Sequence, residues 1–210
     1  LKGNYTVAQY SSTTNNGRAV FFTGAAEQTI TKTGSGDINF DYLIIDKSGS
    51  GTNADVKLVG DGGTTNVQIN SSVSNSSLYR LQIINGNINL NGQSFTLWGT
   101  AINSTNINVV NGTSKIYTSS GTGDFWIKGS PYGGSSNVLF NIQGTTLTFD
   151  TGVTVHVAVG VDFGTLANKV LINSVLQMET NGFVINNSPS YGNSSTLIYN
   201  NGTAGFYRNM

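Results

Sequence analysis

The sequence predicts an all-β fold, a right-handed parallel β-helix (β-solenoid) in which each coil takes about 20–25 residues. Apolar and polar residues alternate in runs of about four to six residues, the period of a strand with one buried face. Turns rich in glycine and asparagine separate the runs, as the corners of a coil require. Similar segments also recur, as in 84–99 (INGNINLNGQSFTLWG) and 172–187 (INSVLQMETNGFVINN). The right hand follows the preference of parallel crossovers, and an antiparallel β-sandwich is the alternative fold.

The segment 78–99 shows the repeating unit most clearly. It contains three pairs of alternating apolar residues with two Asn-Gly turns between them: Leu81/Ile83, Asn85-Gly86, Ile88/Leu90, Asn91-Gly92 and Phe95/Leu97. Such a unit has a single apolar face, so it is stable only between copies of itself. We therefore expect Ile88 and Phe95 to point into a stacked core. Asparagines at inward turn positions are expected to form hydrogen-bonded ladders along the axis: Asn85, Asn91 and Asn111.

The remaining strand-like runs follow in chain order with turns between them, and none has the apolar spacing of a helix. They are 5–8, 18–22, 28–31, 38–45, 55–59 and 66–70 before the unit, and 107–110, 115–120, 124–129, 137–144, 146–150, 153–164, 169–182, 183–187, 195–201 and 204–210 after it. Short, evenly spaced strands favour stacked coils over a sandwich. We expect a single solenoid over 1–210. Because the chain begins at Leu1, we also expect it to be a segment of a longer polypeptide.

Composition narrows the possible functions. The chain has 210 residues, no cysteine and a formal net charge of zero, and 10% of its residues are charged. Without a cluster of lysine and arginine there is no electrostatic basis for binding nucleic acid. The lack of cysteine excludes a disulfide scaffold and thiolate metal sites. No apolar run approaches the roughly 20 residues of a membrane helix, so we expect no membrane insertion.

The titratable residues predict no active site. His156 is the only histidine, and the alternation around Val155 and Val157 directs it outward. Two catalytic arrangements are conceivable. His156 could act as a general base together with Asp162, or Asp150 and Asp162 could form a pair of glycosidase carboxylates. The acids are scattered along the chain, however, and no motif brings them together. We expect a structural role for His156, no enzymatic activity, no cofactor and no metal site.

Aromatic residues are the better candidates for ligand contacts. Four of them could stack on sugar rings, because aromatic faces suit such amphipathic surfaces: Trp98, Trp126, Tyr132 and Tyr191. The competing interpretation is that they pack over the bases of loops.

Three segments contain sequence motifs with fixed spacing, which are more specific than the overall composition. In 17–51, a V-x-F-x-G segment leads to Gln28-Thr29-Ile30 and then to 39–45 (NFDYLII). Segment 84–99 contains the form G-x-I-x-L-x-G-x-x-F-x-L-x-G, and 195–199 (STLIY) is followed by 205–208 (GFYR). Together these segments resemble a repeat of surface proteins of gliding and related Bacteroidota.

The resemblance implies a large, secreted, repetitive β-helical protein, often an adhesin involved in gliding motility and exported by the type IX secretion system. We therefore expect a non-catalytic adhesin or structural stalk segment at the bacterial cell surface. Its partners would be surface polysaccharide or other cell-surface components, neighbouring repeats of the same chain, or further copies bound end to end. A carbohydrate-binding or polysaccharide-degrading β-helix protein is the alternative function.

Overall fold

Strands that pair with each other are three positions apart in chain order and run parallel, so that the described strands form three sheets side by side. The computed structural model describes residues 1–7, 11–12, 17–34, 36–60, 66–70, 79–99, 105–130, 137–164 and 166–200. Within these ranges it contains 23 strands and one turn of 3-10 helix, Gly51–Ala54. This arrangement confirms the predicted all-β parallel β-helix. It excludes the antiparallel sandwich, because the sheets of the described residues pair in parallel.

The strands are numbered in chain order. Sheet A contains β1 (Tyr5–Val7), β4 (Gln28–Lys32), β7 (Asp55–Gly60), β10 (Asn87–Asn89), β13 (Thr113–Tyr117), β16 (Thr146–Phe149), β19 (Val170–Ile172) and β22 (Ser190–Tyr191). Sheet B contains β2 (Ser11–Ser12), β5 (Ile38–Phe40), β8 (Asn66–Ile69), β11 (Ser94–Trp98), β14 (Gly123–Lys128), β17 (Val153–Val157), β20 (Val175–Glu179) and β23 (Thr196–Asn200). Sheet C contains β3 (Ala19–Gly24), β6 (Tyr42–Lys47), β9 (Leu81–Asn85), β12 (Thr105–Val109), β15 (Val138–Ile142), β18 (Gly160–Asp162) and β21 (Phe183–Val184).

Three of the predicted runs are each divided by a corner. The run 38–45 forms β5 and β6, the run 153–164 forms β17 and β18, and the run 169–182 forms β19 and β20. Asp41 lies at the first of these corners, fully buried, and its Oδ2 accepts a hydrogen bond from the Arg18 backbone N–H at 3.2 Å. A buried carboxylate with a backbone partner allows the chain to turn inside an apolar run, which alternation alone cannot reveal.

Coil length varies along the axis. At the C-terminal end the coils match the predicted length, as in the step from Val155 to its partner Leu176 in the next coil. In the middle of the chain the coils are longer than predicted, as in the step from Phe95 to Phe125. The longest step in the register separates Asp46 from Asn85.

The core is a column of apolar side chains from successive coils. Ile88 and Phe95 are buried, at 1% and 0% exposure, which confirms their predicted inward direction. Phe95 stacks on Phe125 of the next coil with ring centroids 5.4 Å apart and planes within 3°. Phe125 in turn meets the edge of Phe149 at 5.1 Å. Contacts of this kind join the coils into one hydrophobic cluster that extends from Phe22 to Met178.

The predicted asparagine ladders are wrong, although the Asn-Gly turns are confirmed. Asn91 has a positive φ of 50°, and its side-chain N–H group donates to the Leu58 carbonyl at 3.1 Å. The Asn85 amide donates to Asp46 Oδ1 at 3.0 Å, and Asn111 is exposed. Coils of unequal length place different residues above one another, so Asn85 and Asn91 bond to residues other than asparagine.

Candidate functional site

The outer face of sheet B brings together both tryptophans of the chain and its only histidine. They belong to a row of polar and aromatic side chains, here called the sheet B strip. It consists of Asp37, Gln68, Trp98, Asp124, Trp126, Lys128, His156, Gln177, Glu179 and Asn200. Because the intervening positions point into the core, the alternation of each strand directs these side chains outward.

The register of the sheet aligns the strip. Trp98 of β11 lies opposite Lys128 of β14, and Trp126 lies opposite His156 of β17. Each of these pairs joins two successive coils. Neighbouring strands lie about 4.8 Å apart, so side chains from successive coils are in direct contact.

The first half of the strip combines aromatic rings with a cation. The Trp98 indole N–H donates to Gln68 Oε1 at 2.6 Å, and the Gln68 amide donates to Asp37. The Lys128 ammonium lies 5.3 Å from the Trp98 ring centroid and 4.6 Å from that of Trp126. Both distances are within the range of cation–π attraction, so one lysine joins the two tryptophans.

The second half of the strip is centred on His156. Its ring stacks on Trp126 with centroids 3.9 Å apart and planes within 7°. Its Nδ1 lies 2.7 Å from Glu179 Oε1, and its Nε2 lies 3.2 Å from Asp124 Oδ1. Since His156 covers one face of Trp126 at this distance, the Lys128 ammonium lies over the opposite face. A sugar ring that stacks on Trp126 would have to displace one of these two neighbours.

Glu179 is held in its charged form. Burial alone would raise the pKa of its carboxyl, but hydrogen bonds from His156, Gln177 and Asn200 outweigh burial and lower the pKa below its usual range. The Gln177 amide donates to Oε1 at 2.7 Å and the Asn200 amide to Oε2 at 2.8 Å. A carboxylate with three donors is a structural acceptor and is poorly suited to act as a general acid at neutral pH.

Two of the four aromatic candidates, Trp98 and Trp126, therefore lie on the same face. Tyr191 lies elsewhere, in β22 of sheet A, and is 44% exposed. It lines a cavity of about 430 Å³ at the C-terminal end of the described chain, together with Phe183 and Tyr199. Tyr132 lies outside the described residues.

The structure gives the acids that were weighed as catalytic candidates other hydrogen-bond partners. Asp162 is in β18 of sheet C, where its carboxylate accepts hydrogen bonds from the Asn186 and Asn187 amides at 3.1 and 2.9 Å. Burial opposes its ionisation, yet these bonds and one from the Gly164 N–H lower the pKa of Asp162. Asp150 accepts a bond from the neighbouring Thr151 N–H. The partners of His156 are Asp124 and Glu179 instead of Asp162.

A second polar cluster is buried where sheet C turns into sheet A. The Lys47 ammonium donates to Gln28 Oε1 and to the Ala26 carbonyl, both at 2.6 Å. Burial lowers the pKa of Lys47, and the nearby Asp55 carboxylate partly opposes this effect. Asp55 itself accepts a bond from the Asn87 amide at 3.0 Å. Each of these side chains has partners within the fold, so the cluster holds the early coils together and has no exposed group to offer a ligand.

No family model, curated protein or solved structure matches the chain. Within the part of the chain that the structure describes, no group of three or more acidic or histidine side chains could hold a metal ion. None of the helices in that part is long and apolar enough to cross a membrane.

Sequence reasoning missed the residues that complete the strip, above all Gln68, Lys128 and Glu179. The signal that could have found them is the regular spacing of the middle coils, which places Gln68, Trp98 and Lys128 in neighbouring strands. A coil of about 20–25 residues, the predicted length, would not place Gln68, Trp98 and Lys128 beside one another.

Proposed function

We propose that this chain is a non-catalytic rod segment of a secreted or cell-surface bacterial adhesin, acting through multivalent contacts of its lateral faces. The observation that carries the proposal is the single hydrophobic cluster whose members extend from Phe22 to Met178. In such a stack each coil is supported by the coil before it and the coil after it. The result is a stiff spacer that grows in length with every coil.

The lateral faces support multivalent binding. Along the sheet B strip from Gln68 to Asn200, six strands place side chains at intervals of about 4.8 Å, a length of about 24 Å. Contacts of individually low affinity become strong when many copies are displayed together. Surface polysaccharide, other cell-surface components and further copies bound end to end are the partners we propose.

The secreted location and the bacterial source rest on the sequence patterns described above. The V-x-F-x-G segment with Gln28-Thr29-Ile30 supports an origin among gliding Bacteroidota and export by the type IX system. The low content of charged residues, 10%, agrees with a surface made of Asn, Ser and Thr rather than with a strongly charged binding site.

A carbohydrate-binding protein is the second candidate. The observation that favours it is the position of Trp98, Trp126, Asp124 and Lys128 on one face of one sheet. The Asp124 side chain is 43% exposed and available to sugar hydroxyl groups. A binding module of this kind would hold its ligand with a single copy, whereas a rod segment depends on the number of copies.

The experiment that tests the proposal compares beads that carry the protein at low and at high density. We expect retention on purified surface polysaccharide to rise steeply with density and a soluble single copy to compete weakly. No sugar product should be released during incubation. Tight binding by the single copy that is lost in Trp126→Ala would support the carbohydrate-binding module instead. Release of product that is lost in Asp124→Asn would overturn the non-catalytic proposal.

A further inference from the structure

His156 bridges three strands of sheet B through both of its ring nitrogens. The ring belongs to β17, Asp124 to β14 on one side and Glu179 to β20 on the other. Nε2 lies 3.2 Å from Asp124 Oδ1, and Nδ1 lies 2.7 Å from Glu179 Oε1. The residue as a whole is 9% exposed, so the ring itself lies largely away from water.

The chemistry of the ring decides which protonation state fits this geometry. A neutral imidazole has one N–H donor and one nitrogen lone pair. If His156 were neutral, one carboxylate oxygen would face that lone pair at hydrogen-bond distance, and the two would repel each other. An imidazolium donates from both nitrogens and satisfies both carboxylates, with charge-assisted hydrogen bonds.

We infer that His156 is held as an imidazolium and acts as a clasp between three successive coils of sheet B. This inference does not depend on the proposed function. When the ring loses its second proton, one of the two bridges is lost. The bridge to Asp124 is the longer one, and its carboxylate is the more exposed, at 43% against 14% for Glu179. Deprotonation therefore releases Asp124 and leaves His156 bound to Glu179.

Of the other groups around the ring, one aromatic face favours the charged imidazole, two amides are neutral, and one positive charge lies beyond the indole. On β14, Trp126 offers its ring face to the charged imidazole, which a cation–π contact favours. The positive charge of Lys128 lies over the opposite face of Trp126, separated from His156 by the indole. On β20, the neutral Gln177 lies opposite His156 and donates to Glu179, as does Asn200 of β23. Two carboxylates therefore face the ring directly, and no positive charge among these neighbours touches it.

Glu179 limits the clasp at low pH. Its lowered pKa keeps that carboxylate charged below its usual range, and its bond to the ring is lost as pH falls through that lowered pKa.

The test uses the fact that the chain has a single histidine. Protein labelled with ¹⁵N in the histidine ring gives one pair of ring-nitrogen signals, whose shifts report protonation directly. We expect both nitrogens to carry protons at pH 7 in the wild type. Asp124→Asn and Glu179→Gln each remove one negative partner, so the ring should lose its second proton at that pH. Asp150→Asn, which changes a carboxylate bonded to its neighbour Thr151, is the matched control and should leave the signals unchanged.

A neutral wild-type ring at pH 7 would overturn the inference. So would signals that are the same in the wild type and in both partner variants. If one variant fails to fold, the wild-type signals and the other variant still decide. A purely structural histidine would alter stability when replaced but would show no dependence of its ring protons on Asp124 and Glu179.

Discussion

Trp126 and His156 belong to successive coils, and their rings stack with centroids 3.9 Å apart and planes within 7°. The stack follows from the register of β14 and β17, which places the two residues directly opposite each other. Because such a contact requires the same outward position in successive coils, it links the coil length to the chemistry of the outer face. The strip is thus a consequence of coil geometry.

Replacing Phe95 tests the stacked core. Phe95→Ala should lower the free energy of unfolding by about 3–5 kcal/mol, because the residue is fully buried and stacks on Phe125. Phe95→Asp should prevent folding, because it places a charge in the core. Urea denaturation followed by circular dichroism measures both. Phe21→Ala is the control, since Phe21 is 45% exposed and should lose far less. A stable Phe95→Asp protein would contradict the inward assignment.

Replacing Gly86 tests the close approach of two corners. Gly86 has a φ of 113°, and a Cβ atom there would lie 2.6 Å from the Ala54 carbonyl oxygen and 2.8 Å from Lys47 Cγ. Gly86→Ala should therefore cost about 3 kcal/mol or more in thermal unfolding, from strain and overlap together. Gly112 also has a positive φ, 54°, but has open space around it, so Gly112→Ala should cost only about 1 kcal/mol. Equal costs would argue against the contact at Gly86.

The pH dependence of stability tests the environment of Glu179. A carboxyl whose pKa is lowered on folding stabilises the protein above its unfolded pKa, and this stabilisation is lost as pH falls through the lowered folded value. At pH 6 the wild type should be more stable than Glu179→Gln by about 1–2 kcal/mol. The difference should vanish well below pH 4, the usual range of a glutamate. Glu27→Gln, at an exposed position, should show no such trend. A difference that grows in acid would reverse the assigned sign.

Tryptophan fluorescence tests the contact of Lys128 with the two indoles. Trp98 and Trp126 are the only tryptophans, so the emission comes entirely from the strip. Lys128→Met keeps an apolar side chain but removes the ammonium over both rings, and we expect a shifted spectrum with a loss of about 0.5–1 kcal/mol in stability. Lys57→Met on sheet A is the control. If both variants keep the wild-type spectrum, Lys128 does not contact the indoles in solution.

The fold could be predicted because its cause is local. Alternation at Ile88 and Phe95 shows which side faces the core, and Asn91 and Gly92 adopt the positive φ that their residue types favour. The division of 38–45 at Asp41 could not be predicted, since a corner inside an apolar run depends on a partner, Arg18, from another coil.

The site was harder to predict than the fold. Trp98 and Trp126 could be named as candidates from the sequence alone. Their partners Lys128 and His156 are defined only by the register of neighbouring coils. Coil length also changes along the chain, because the coil that ends at Val155 is longer than the coil that follows it. A single assumed period therefore cannot align the strip.

The length of the rod is the most direct measure of the whole arrangement. Thr29 of β4 and Ser190 of β22 lie in the same sheet and are separated by six strand-to-strand steps, which corresponds to about 29 Å. The chain has no cysteine, so Thr29→Cys and Ser190→Cys allow two spin labels to be attached at these positions alone. Pulsed electron spin resonance should give one narrow distance distribution centred at about 29 Å and broadened by the label linkers. A main distance below about 20 Å would mean that the sheets fold back on each other as in a sandwich, and the rod would be refuted.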